Sequence, residues 1–387
     1  MLHQKNNLNT VFLSAGGFLL LQGIMLRLVL CDAELLRELT HLVVPICLAG
    51  TAAFLLRKVD WCAFFVNHAW LSAGVLYGLG LLTFLVEKYI QKPGDTVSCL
   101  GTIITVFASI PVLFAQRNRD VIGFAITMAS LFPSLVLSWI FHSTIGIGVA
   151  LIAGIILVCA SCAKGWYNFK KSFDNRLVII TCVMVVFALL FVPAVSVIQD
   201  GMLYHGWLDD WMHPEHDPLG DGFYAVSAHQ IAKEASFFTG SNSVHRWSDT
   251  EVSMHSIFSN MGDTFLLLSA LNAYGWWLIL LWIAAVMTFL ISGVLLCKKR
   301  NGILFHFAFT AMILLAAQFL LYFLHQFGFS PIYMTSVPFF SADGLGLLFS
   351  LLPLFLVACC HKNHCKKAGE SSHDSRAFEA YFMDGMK

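Results

Sequence analysis

The sequence predicts an all-α integral membrane protein of about ten transmembrane helices, with one large extracytoplasmic loop between the seventh and eighth. Three observations carry that reading. The chain is 58% hydrophobic and 12% charged, with a mean hydropathy of +0.75, whereas a soluble domain carries about 25% charge. Apolar runs of about 20 residues, the length a helix needs to cross a bilayer, recur along the chain. The acids gather instead in one polar stretch, 199–263, where Asp200, Asp209, Asp210, Glu215, Asp217, Asp221, Glu234, Asp249, Glu251 and Asp263 stand against only Lys233 and Arg246.

Taken in order, the spans fall at about 10–30, 42–56, 61–86, 97–115, 121–140, 144–163, 177–198, 275–297, 303–327 and 344–360. The first lacks a small-residue cleavage pattern behind it, so it is expected to stay as a span and not to leave as a signal peptide. The connection Arg57 to Asp60 is so short that the second and third spans must form an antiparallel hairpin. Pro45, Pro111, Pro133 and Pro193 lie within or at the ends of spans. Neighbouring helices can re-satisfy the backbone groups they free, so kinks are expected there. Residues 1–361 read as one polytopic domain and 362–387 as a polar cytoplasmic tail. No internal repeat is visible, which argues against an inverted-repeat transporter.

Lysine and arginine set the orientation. With both termini in the cytoplasm, 17 basic residues fall inside, including Lys58, Arg117, Arg119, Lys164 to Arg176 and Lys298 to Arg300, and five fall outside, with Arg27 left in the first span. The acidic loop then faces the exterior. Trp61, Trp166, Tyr167, Trp276 and Trp277 lie near span ends, where interfacial belts or core packing both suit them. Of eleven cysteines none lies in 199–263, so a disulfide-stapled outer domain is not expected. Nucleic acid binding is not suggested by the balanced charge. The spans hold almost no carboxylates, which argues against an ion-driven pump. Arg27 and His142 are the exceptions, and both are read as structural.

The outer segment contains PEHDPLGDGFYAV from Pro214 to Val226, in which Pro218, Gly220 and Gly222 predict a fixed turn followed by a helix. Here the chain resembles the SEDS family of FtsW, RodA and SpoVE, ten-span cell-wall polymerases whose outer loop carries a pattern like PexDPxGxGYQ. Pro214, Asp217, Pro218, Gly220 and Gly222 match, while Phe223 and Tyr224 replace the Tyr-Gln pair. A second match lies in the ninth span and beyond, where Gln318, Gly328, Pro331 and the run PFFSADG, with Pro338, Phe339, Ser341 and Gly344, keep the family's order and spacing. The resemblance is carried by the chain from about 177 onward; the N-terminal half has no clean copy of the family's PSE-x-x-K or QPDxG motifs.

What the resemblance implies is peptidoglycan synthesis in division, elongation or sporulation, by polymerising lipid II glycan strands at the outer face of the bacterial cytoplasmic membrane beside a class B penicillin-binding transpeptidase. Two alternatives keep the fold. One is a degenerate scaffold that binds the transpeptidase without turnover, and the other is a lipid-linked precursor transporter. The implied chemistry needs a general base, because a sugar hydroxyl must lose its proton as it attacks the anomeric carbon of a lipid-linked donor.

In the family the essential aspartate sits in an HTDF motif that enters the eighth span and is followed by Glu-Glu-Leu-Gly. Counting back from Gly275, the motif falls on Gly262, Asp263, Thr264 and Phe265, and the Glu-Glu pair on Asn272 and Ala273. Thr264 therefore takes the aspartate position, with the acid one residue earlier. On a helix that shift turns a side chain by about 100 degrees. Matching His255, Ser256, Ile257 and Phe258 instead loses the downstream glycine and offers no acid. Asp263 is the candidate base, although its place beside Gly262 also suits a helix N-cap. Asp249 and Glu251 are reserve acids.

Asp217 is assigned to the loop turn at the substrate site, with Lys233 and Arg246 as the loop's cations for pyrophosphate; a divalent cation, Mg²⁺ or Mn²⁺, could serve the same charge. His213 and His216 have a spacing seen in metal sites, but no second such pair or cysteine completes a zinc signature, and no metal site is expected. The juxtamembrane group Cys359, Cys360, His361, His364 and Cys365 is read as a chance cluster.

Overall fold

The computed structural model describes residues 2–30, 40, 42–43, 45–51, 68–90, 100–116, 121–141, 144–163, 213–216, 222–241, 244–247, 250–253, 265–298, 303–329, 339 and 351. Helices α1 (Leu2–Leu30), α2 (Ala69–Ile90), α3 (Leu100–Ala115), α4 (Val121–Ile140) and α5 (Thr144–Ala163) make the first part of the body. A 3-10 turn at Pro214–His216 and helix α6 (Phe223–Glu234) belong to the loop, with strands β1 (Val244–Trp247) and β2 (Thr250–Ser253). Helices α7 (Leu266–Tyr274), α8 (Trp276–Lys298) and α9 (Ile303–Gln326) follow.

Among the described residues, Leu8–Leu30, Ala69–Val86, Gly123–Ile140, Trp276–Cys297 and His306–Gln326 are long and apolar enough to cross a membrane. Their exposed faces explain why they need one. On α2 the residues Leu71, Val75, Leu79, Leu82 and Val86 recur at helical spacing and all point outward, as do Leu280, Met287, Ile291 and Leu295 on α8. Apolar stripes of this extent are not left against water. The protein is a multi-pass helical membrane protein. The expected second span is described only in part, with residues 45–51 helical. The seventh and tenth expected spans lie outside the described residues, apart from Leu351.

Packing runs around the body from α2 through α3 to α4 and α5, then from α5 to α9, α8 and α1. The interior is both aromatic and small. Phe12 of α1 stacks on Phe289 of α8 at 4.8 Å. Between α3 and α4, buried Thr102 and Ser138 share a hydrogen bond of 2.7 Å, and the Tyr77 hydroxyl of α2 donates to the Ser130 carbonyl of α4. Without a hydrophobic drive between helices in lipid, such close contacts and interhelical hydrogen bonds hold a bundle together. Pro111 and Pro133 both lie inside their helices, as expected.

Two features depart from the sequence reading. The loop contains a two-stranded antiparallel hairpin, β1–β2, and the other regular elements among the described residues are helical. The eighth span begins where expected, but the apolar stretch from Phe265 onward adds a separate helix ahead of it. The stretch folds as buried α7, breaks at Gly275 and restarts as α8. Gly275 has φ +87 and ψ −174, a region that only glycine occupies without strain.

Candidate functional site

The turn ahead of α6 begins with Pro214, whose fixed φ suits a first helical position. Behind it Gly222 leads directly into α6. Phe223, Ser227, Ala228 and Ile231 form the buried side of this helix. Its far end is fastened twice. Gln230 and Ser241 donate to the two carboxylate oxygens of Glu234, at 3.0 and 3.1 Å. The Trp276 indole donates to the Ala232 carbonyl at 3.3 Å.

The first-turn amides of a helix have no partner within it. In α8 the loop supplies them, since the amides of Trp276 and Trp277 donate to the carbonyls of Ser236 and Phe237 at 3.2 and 3.0 Å. Trp276, read from sequence as a belt or core residue, thus pins the outer helix to the bundle, and its ring stacks on Phe327 at 5.7 Å.

On the inner side of α6 three separated segments meet. Tyr224, from the loop motif, stacks on Phe265, from the segment ahead of the eighth span, with centroids 5.1 Å apart. Phe265 in turn lies 5.2 Å from the ring of His325 at the end of α9. Three residues on, Gly328 has φ +72, and a Cβ there would lie 2.8 Å from the Ala225 Cα. Only a glycine lets α9's end approach α6 this closely. Gln326 closes the junction, its side-chain oxygen accepting from the amide of Leu268 at 3.2 Å. That amide is one of the first-turn donors of α7.

Phe339, from the PFFSADG run, is buried below this junction between Phe289 and Phe319, at centroid distances of 5.3 and 6.3 Å. Its φ of +70 is rare for a bulky residue, and that packing holds it there.

The sequence-derived site residues divide as follows. Lys233 is exposed in the last turn of α6, where a cation also complements the helix dipole. The hairpin register sets Arg246 opposite Glu251. Asp217, Asp249, Asp263 and Thr264 lie outside the described residues; in the chain Asp263 is two positions ahead of Phe265. His325 and Gln326 were missed from sequence. The signal available was a polar pair ending an apolar span next to the motif glycine Gly328.

Among the described residues one group of three metal-ligating side chains converges, His213, Glu215 and His216. The Glu215 carboxyl is held below the usual carboxylate range, chiefly by a hydrogen bond to its own backbone, with His213 adding to it. Two imidazoles and one carboxylate are not the all-oxygen donor set that Mg²⁺ or Mn²⁺ prefers. An apolar cavity of about 390 Å³ lies elsewhere, between α4 and α5, lined by Met128, Leu131, Phe132, Leu135, Ala150 and Gly154 among others. It has no ionisable lining and carries no acid–base chemistry.

Solved structures share this arrangement of helices. A chain of a peptidoglycan synthase complex, described as coordinating polymerization and crosslinking, superposes with a TM-score of 0.63 over 91% of this chain and 97% of its own, at 16% identity. The rod shape determining protein RodA of Thermus thermophilus superposes with a TM-score of 0.57 over 91% of this chain and 96% of its own, at 13% identity. This chain has the RodA fold. An aspartate-to-alanine mutant of the same RodA gives a TM-score of 0.57 at 14% identity, with the same coverage. No protein-family model and no curated protein matches the chain. The likeness in fold covers 91% of the chain and so extends into the N-terminal half, where no clean copy of the family motifs is present.

Proposed function

We propose that this protein is a divergent SEDS-type polymerase of bacterial peptidoglycan synthesis, extending lipid II glycan strands at the outer face of the cytoplasmic membrane beside a class B penicillin-binding transpeptidase. The observation that carries this reading is the stack of Tyr224 on Phe265 at 5.1 Å. It joins the loop motif to the segment that holds the candidate acid, in a chain with the RodA fold.

In this reading Asp263 takes the proton from the acceptor sugar's hydroxyl as that oxygen attacks the anomeric carbon of the donor. The bond to the lipid pyrophosphate breaks, and the pyrophosphate leaves on its prenyl chain. Lys233 and Arg246 offset the charge on the leaving group, and Asp217 keeps the PEHDPLG turn in shape.

The test is polymerisation of labelled lipid II by the purified full chain with its partner transpeptidase. Wild type is expected to make glycan strands and Asp263→Ala to lose about 10²–10⁴-fold in rate, the usual contribution of a general base. Thr264→Ala is expected to keep most of the activity. A scaffold would make no polymer in any of the three. A transporter would instead move labelled lipid II across vesicles without polymerising it.

A further inference from the structure

The segment His213-Pro214-Glu215-His216 gathers more than a turn requires. A 3-10 helix has three residues per turn, so side chains at i and i+3 eclipse one another. The backbone follows that geometry, with the His216 amide donating to the His213 carbonyl at 2.9 Å. Accordingly the two imidazoles stack, centroids 5.0 Å apart and planes 21° from parallel. Glu215 lies on the same side, its Oε1 3.4 Å from His213 Nδ1. One ligand atom from each residue lies within 4.8 Å of the other two, and all three side chains are exposed.

A four-coordinate zinc-class ion, with bonds of about 2.0–2.2 Å, places its ligand atoms roughly 3.3–3.6 Å apart. The His213 to Glu215 pair already has that spacing. Closing the remaining gap, about 1 Å, is a matter of side-chain rotation, which exposed residues make freely. We propose that His213, Glu215 and His216 bind one divalent ion of the zinc class, with water completing its coordination. The donor set selects the ion, because imidazole suits zinc, cobalt or nickel and gives magnesium little. The turn packs against α6, so the ion would brace the start of the outer helix. This site does not depend on the polymerase reading.

The test is zinc titration of the full chain in detergent, without a polyhistidine tag and with Cys359, Cys360 and Cys365 changed to serine, so that the tail does not compete. One equivalent of zinc is expected at micromolar affinity, undisturbed by millimolar magnesium. His213→Ala and His216→Ala are each expected to weaken it by about tenfold or more, while His229→Ala does not. His216→Cys, which keeps a zinc ligand, is expected to restore binding. Absence of zinc binding, binding unchanged by both alanine variants, or loss that His216→Cys does not rescue would each overturn the proposal.

Discussion

Gly275 carries more of the architecture than its size suggests. At φ +87 and ψ −174 it turns the chain between α7 and α8, and a Cβ there would come within 2.5 Å of the Ser236 carbonyl and 2.9 Å of that of Phe237. Ser236 and Phe237 are the residues whose carbonyls receive the first amides of α8. Gly275→Ala is therefore expected to strain the backbone and loosen the loop together, at a cost of about 1–3 kcal/mol from the backbone conformation. It is checked by the melting temperature of the purified protein in detergent, and an unchanged temperature would contradict the assignment. Gln326 is the counterpart that sequence could not reveal. A glutamine at the end of a span reads as a residue reaching for water, yet it is fully buried and accepts from the Leu268 amide. Its partner is 58 residues away in the chain, so no local pattern announces the bond.

Helix α6 is held on the bundle by its neighbours' unsatisfied groups. Trp276 contributes its indole N–H to Ala232 and its amide to Ser236. Trp276→Phe keeps an aromatic ring against Phe327 but removes the indole donor, a loss of about 0.5–1.5 kcal/mol, together with the packing of the indole's second ring. Faster amide exchange across 223–234, with exchange in α9 unaltered, is the expected result; uniform exchange throughout would show that the bond does not govern docking. The apolar elements were legible in sequence where one run makes one helix, as in α4 and α5, whose ends fall at the expected 121–140 and 144–163. The eighth span was legible too, α8 at Trp276–Lys298 matching the expected 275–297, but the separate helix α7 ahead of it was not, because hydropathy does not register a glycine turn between two apolar helices. Hydropathy gave no sign of β1–β2, two strands of only four residues each that pair with one another. The helix after Gly222 was readable because proline and glycine act through backbone geometry alone, while Pro218 and Gly220 of the expected turn lie outside the described residues. In the junction, Tyr224 and Phe265 were readable only as parts of separate motifs and His325 not at all, since their meeting depends on how three distant segments pack.

The account as a whole rests on the side of the membrane to which that junction belongs. A lipid-linked donor presented from outside can reach it only if the loop and the outer ends of α8 and α9 share the external face, which is the orientation predicted from the distribution of basic residues. Phe238 offers the place to ask, because it lies in the connection that receives α8 and is 75% exposed. The measurement is labelling of Phe238→Cys by a membrane-impermeant maleimide in intact cells, scored as the signal added above the parent chain, with Arg119→Cys for the opposite face. The account expects Phe238→Cys to label in intact cells and Arg119→Cys to label only after permeabilisation; the reverse pattern would place the junction in the cytosol and contradict it.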